Sequence, residues 1–339
     1  MQQKNVSIEA FRFIFMIILC LLHIEGMIHI QNHGDLVVEF FFMLSGYFLY
    51  RSFLGNPKRS TIDFTIKRFK RFWIEYVIAT VPIFFLYQRG VMSSLTWDTL
   101  LNFILHFFSD LLLVHRIGIF PNPVNGPTWY LSVLLFGGGF VHALLRKDRQ
   151  LTVSIILPVI CLVVYSYFFK QGCQTEIDHW EVVYGLSMPL LRGIADLGLG
   201  IMLCHLIQSK PQLIEGHQLL INITSCVSLV FIFLLFFCKN QNDAYMLLFC
   251  PIFMIGLFSP KSWLHRAFQS QIWVFLGGLS YEMLLVHMAV RAPLIFFNIY
   301  EKISTYALVL IYLSAVLLLS YLLKQVGKYI RVKLHWEQP

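Results

Sequence analysis

Residues 219–237 read LLINITSCVSLVFIFLLFF, a run without one charged side chain. As a helix it rises about 1.5 Å per residue, enough to cross a hydrocarbon layer of roughly 30 Å. The pattern recurs outward in both directions. Ten segments predict spans: 6–24, 36–53, 72–88, 129–145, 151–169, 187–207, 219–237, 244–258, 273–291 and 304–323. Composition agrees, with 58% of the 339 residues hydrophobic, 13% charged and a mean hydropathy of +0.69. The chain reads as an integral membrane protein, which excludes a soluble enzyme, a disordered tail and a secreted disulfide scaffold.

Orientation follows from the basic residues. With the amino terminus in the cytoplasm, eighteen Lys and Arg fall in inside segments and five in outside loops, a clear positive-inside bias. The net charge of +8 therefore reports topology and not nucleic-acid binding. Residues 99–115 carry Asn102, His106, Ser109, Asp110 and His115. Making them a span would put Arg146, Lys147 and Arg149 outside, so they are expected as an extra interfacial helix. The expected architecture is all-α: one polytopic membrane domain over 1–339, about ten transmembrane helices, both termini cytoplasmic and no soluble appendage. No cleavage site follows the first span, which is expected to stay as an anchor. Most cysteines lie in apolar stretches as small core residues; Cys173 and Cys238 are the two that can meet outside the cytoplasm.

Ionisable groups inside a bilayer cost several kcal/mol unless they face a partner, a cavity or a reaction site. They gather in the first two spans as Glu9, Arg12, His23 and Glu39. Arg12 and His23 are eleven positions apart, nearly on one helix face and about 16 Å apart along the axis. Arg12 lies towards the cytoplasm and His23 near the outer surface. The turn between the two spans returns Glu39 to the depth of His23, so a His–carboxylate pair is expected. Glu9 and Arg12, three apart, can also simply neutralise each other.

The loop after the second span leads into Lys67-Arg68-Phe69-Lys70-Arg71. Such a cluster serves as a topology signal and a contact for anionic lipid. Arg68 and Arg71, spaced three apart, can also project together from a helix start towards one polyanion, where phosphates are favoured. A phosphate-bearing molecule coming from the cytoplasm would meet this cluster and Arg12 together. His and carboxylate pairs do not recur at ligand spacing, so no metal is expected.

Five elements in order resemble one family, the bacterial membrane acyltransferases of acyltransferase family 3. They are Glu9-Ala10-Phe11-Arg12 with His23 eleven residues on; Val38-Glu39-Phe40-Phe41-Phe42-Met43-Leu44-Ser45-Gly46-Tyr47; Arg68-Phe69-Lys70-Arg71 with Tyr76; Trp129-Tyr130-Leu131-Ser132; and Leu276-Gly277-Gly278-Leu279-Ser280-Tyr281 with His287. Ile74 stands where the family often has Pro, Leu284 where it often has Tyr, and Leu134 where many members have Glu.

The resemblance implies transfer of an acyl group, usually O-acetyl, from cytoplasmic acetyl-CoA or another acyl-CoA to a hydroxyl of an envelope carbohydrate, in a bacterial inner membrane. On that reading Arg12, Lys67, Arg68 and Arg71 hold the phosphates, and the pantetheine arm threads to His23. His23 is the general base and Glu39 orients its ring. Ser45, Trp129, Ser280, Tyr281 and His287 are candidates to line the passage or donate to the oxyanion. A different class, a transporter or flippase of a glycan precursor, would also keep Arg192, Asp196, Glu282 and Arg291 in its spans; ten spans without an inverted repeat speak against it. A membrane scaffold would leave Glu39 and His23 at matched depth unexplained.

Overall fold

The computed structural model describes residues 5–30, 32–88, 96–117, 123–170, 182–183, 186–238 and 243–336. Apart from a two-residue antiparallel ladder pairing Val182–Val183 with Leu186–Ser187, the described chain is helical. The principal helices are α1 Val6–Leu22, α2 Val37–Gly55, α3 Thr61–Gln88, α4 Trp97–Leu111, α5 Trp129–Lys147, α6 Leu157–Lys170, α7 Met188–Ser209, α8 Gln218–Phe237, α9 Tyr245–Phe258, α10 Gln271–Gly277, α11 Ser280–Phe296 and α12 Thr305–Lys333. The polytopic all-α class is as expected.

Every one of the ten expected spans coincides with helix, but they are not alike. Among the described residues, six helices are individually long and apolar enough to cross a membrane: α2, α5, α6, α7, α8 and α12, some with flanking turns. α1 has 17 residues and α9 has 14. α3 runs for 28 residues, with the basic cluster in its first half. The expected span 273–291 is broken: α10 and α11 meet at 52°. Gly277 and Gly278 count as harmless in a hydropathy window, yet this is where the chain turns. A methyl group on Gly277 would strike the Glu9 carbonyl, so the end of α10 rests directly on the α1 backbone. Residues 99–115 are helical over most of their length, with Trp97, Leu101, Leu105 and Phe108 exposed along α4. The expected Cys173–Cys238 encounter lies outside the described residues on the Cys173 side.

α1 is fixed at its start and along one face. The Asn5 side chain caps it by accepting from the Ile8 amide, while Asn5 Nδ2 and Ser7 Oγ donate to the Leu257 carbonyl at the end of α9. Phe11 and Phe15, both buried, meet Phe253 and Phe40 edge to face at 4.8 Å between ring centroids, and Phe236 closes on Phe15 at 5.4 Å. Such edge-to-face contacts add about 0.5–1.5 kcal/mol each beyond area burial. With one face held in aromatic packing, the opposite face of α1 is turned to the interior.

α2 and α7 cross without room for side chains. A methyl on Gly46 would overlap the Leu197 carbonyl, and one on Gly200 the Met43 carbonyl. Small residues at such crossings let membrane helices approach backbone to backbone. Gly200→Ala is expected to lower the thermal unfolding midpoint in detergent, by an overpacking cost of about 1–3 kcal/mol. Gly55→Ala, which meets nothing within 4 Å, should leave the midpoint in place.

Candidate functional site

The free face of α1 borders a cavity of about 1660 Å³. Glu9, Arg12, Met16, Leu19 and His23 all line it, at intervals of three and four residues that keep them on one stripe. Arg12 and His23 therefore open into the same space, as the eleven-residue spacing predicts. At the basic end the wall holds Lys67, Arg68, Lys70 and Arg71 from α3 and Lys324 and Arg331 from α12. At the other end it holds His23, Asp35, Arg116, Trp129 and Arg192.

The basic cluster is built unevenly. Lys67 and Arg71 are exposed, while Arg68 is half-buried, with its guanidinium 5.6 Å from the Phe64 ring centroid. Gly138 on α5 makes the space for it: a β-carbon there would sit 2.7 Å from Arg68 Nη1. Arg12 is paired with Glu9, its Nη1 donating to the two carboxylate oxygens at 2.9 and 3.1 Å. The mutual neutralisation read from their spacing is thus present, on the cavity wall itself. Arg331 forms an ion pair with the buried carboxylate of Glu75, which joins the end of α12 to α3.

The expected pairing of Glu39 with His23 is replaced by two separate contacts. Glu39 is gripped by Arg192 of α7: Nε donates to Oε1 at 2.9 Å, and Nη2 donates to Oε1 at 2.5 Å and Oε2 at 2.7 Å. The glycine crossing of α2 and α7 brings the two helices close enough, and a guanidinium fork satisfies a carboxylate more completely than one imidazole N–H. Arg192 lines the cavity, whereas Glu39 stands behind it. Four residues along α7, Asp196 accepts a hydrogen bond from Tyr165 at 2.6 Å, extending a chain of buried polar groups through the apolar interior.

His23 instead faces His287 of α11, with ring centroids 4.9 Å apart and planes inclined by 33°. His287 is fully buried and does not line the cavity. Its Nδ1 lies 3.0 Å from the Met283 carbonyl. A carbonyl only accepts, so Nδ1 carries the proton and Nε2 the lone pair. Nε2 is buried without a hydrogen-bond partner among the described residues.

The other candidates divide by what their hydroxyls do. Ser45, Trp129, Ser280 and Tyr281 all line the cavity. Tyr281 donates to the Phe72 carbonyl at 2.7 Å and Ser280 to the Gly277 carbonyl at 2.7 Å, bracing the break before α11. Tyr130 donates to the Phe41 carbonyl, which leaves Ser45 to donate to Tyr130 at 3.1 Å. These three hydroxyl protons are committed to the frame, so the oxyanion role is not theirs in this arrangement. The side chains of Asp110 and His115 approach to 3.6 Å; the Asp110 carboxylate accepts from the Val124 amide and the main-chain carbonyl of His115 from the Ser132 hydroxyl, tying the loop before α5 down. Burial pushes the Asp110 carboxyl up to about 7 and the His115 imidazole down to about 4. Among the described residues no three His, Cys, Asp or Glu side chains converge as metal ligands do.

Sequence reasoning gave Arg192 and Glu282 a part only under a transporter, held Tyr130 only as a member of the Trp129–Ser132 element and gave Lys324 no part. For Arg192 the sequence held only part of the signal: a charge in one span calls for an opposite charge in another, but not for a particular one. Removing either charge is costly. Arg192→Leu is expected to destabilise the protein by about 3–5 kcal/mol, and the double variant Glu39→Leu/Arg192→Leu to recover most of that loss in thermal unfolding.

The family model of acyltransferase family 3, described as an acyltransferase domain, matches residues 5–325. Searches of curated proteins and of solved structures find no match to this chain.

Proposed function

The chain belongs to acyltransferase family 3, and from that premise we propose that it moves an acyl group, acetyl in the simplest case, from acyl-CoA in the cytoplasm to a hydroxyl of an envelope carbohydrate. Its place would be a bacterial inner membrane, crossed several times. The observation that carries this reading is the α1 stripe: Arg12 near the basic end and His23 at the other border one cavity. A donor with phosphates at one end and a thioester at the other needs those two chemistries held apart along a shared path.

In the proposed reaction Arg12, Lys67, Arg68 and Arg71 hold the phosphates. His23 takes the proton from the acceptor hydroxyl as its oxygen attacks the thioester carbonyl. The carbon–sulfur bond then breaks, and the departing thiolate receives the proton from the imidazolium, which restores His23. His287 serves as the positioning partner: its Nε2 lone pair, unpartnered in this arrangement, is there to accept the N–H of His23 when the ring turns to it, which would leave the other His23 nitrogen basic towards the cavity. Glu39 acts at one remove, by holding Arg192 at the cavity wall.

Labelled acetyl-CoA supplies the test. His23→Ala is expected to reduce label reaching cell-surface glycan by about 10²-fold or more; unchanged labelling at normal protein abundance would overturn the assignment. Arg71→Ala should raise the acetyl-CoA concentration needed for half-maximal transfer while leaving the maximal rate close to wild type. An effect confined to the maximal rate would remove Arg71 from the phosphate site.

A further inference from the structure

Glu282 lies in the first turn of α11, lines the cavity and is only 6% exposed, yet among the described residues its carboxylate has no ion pair and is hydrogen-bonded only by its own backbone amide. Its Oε2 is buried without a partner. Lys324, Glu75 and Arg12 are the charged groups that bear on it. Every other carboxylate on the basic half of the wall with comparable burial is engaged: Glu9 by Arg12 and Glu75 by Arg331. Burying a carboxylate with one oxygen left unpartnered costs free energy, and the fold keeps this one beside a cavity. A carboxylate there accepts hydrogen bonds and donates none, so what it lacks is a donor arriving through that space.

Its height selects the donor. α10 ends against Glu9, and His287 stands beside His23, so α11 runs alongside α1 from the basic end outward. Glu282 precedes His287 by five residues, which places it about 7.5 Å below the His23–His287 level. It thus lies between the phosphate-gripping groups and the imidazole. In an acyl-CoA that interval is occupied by the pantetheine arm. The arm carries secondary amide N–H groups, the first two methylenes from the sulfur and the second a few bonds further.

We propose that Glu282 is the acceptor for an amide N–H of the donor's pantetheine arm, holding the arm so that the thioester stops at His23. This rests on the acyl-CoA reading above. Glu282 is a positioning residue: it touches the donor but not the reacting atoms.

The test compares two ligands on the purified full-length protein in detergent: CoA, and 3′-phospho-ADP, which has the base and all three phosphates but no arm. Wild type should bind CoA more tightly than the nucleotide. Glu282→Leu should weaken CoA binding about tenfold, the worth of one hydrogen bond to a charged group, and leave nucleotide binding unchanged. Nucleotide binding also reports that the variant is folded. Glu282→Gln, which retains one carbonyl acceptor, should lose only about half of that effect on a logarithmic scale, and it decides the question by the same comparison if the leucine variant does not fold. Equal losses for both ligands, or no loss for CoA, would overturn the role of Glu282 while leaving the acyl-CoA reading standing. Failure of wild type to bind CoA at all would overturn both.

Discussion

The fork between Glu39 and Arg192 sets the geometry of the half of the molecule away from the basic cluster. Two ions buried in an apolar interior lose hydration worth several kcal/mol each, and only close, fully hydrogen-bonded contact offsets the loss. That demand fixes how α2 and α7 cross, because the carboxylate and guanidinium meet only if the backbones nearly touch. Gly46 and Gly200 permit the approach. Once the helices are locked, Arg192 is presented to the cavity opposite α1, and α5 packs against α7 with Gly193 close to Val133 and Phe42.

The wall facing this crossing is made by a helix with two natures. Phe11 and Phe15 belong to an aromatic cluster with Phe40, Phe236 and Phe253, while Arg12, Met16, Leu19 and His23 border the cavity. The positions alternate with the period of the helix, so a single short sequence serves both packing and chemistry. The same economy appears at the α10–α11 break. Its glycines admit the α1 backbone, its Ser280 and Tyr281 hydroxyls brace it, and the helix that follows delivers Glu282 and His287 at two heights.

What could be read in the sequence is what local spacing determines. The α1 stripe follows from 3.6 residues per turn, and the basic cluster is contiguous in the chain. The membrane class follows from long apolar runs. The partner of Glu39 was not legible, because Arg192 lies 153 positions away and hydropathy carries no information on which spans touch. His23 and Glu39 share a depth, but depth alone does not decide between an imidazole and a guanidinium. The 52° bend was hidden for another reason: glycine is neutral to hydropathy and decisive for backbone approach. Hydroxyl roles at Ser45, Ser280 and Tyr281 depend on carbonyls from Phe41, Phe72 and Gly277 that only the tertiary arrangement supplies.

The aromatic clamp on α1 has a mechanical consequence. A helix held along one face by ring contacts keeps Arg12 and His23 at a fixed separation along its axis, about 16 Å by helical rise. It is a gauge. On the proposed reading, a molecule with a charged head and a reactive tail would satisfy both grips only if its own length matched, so shorter carriers with the same head and the same tail would be rejected by reach before any difference in their chemistry was felt.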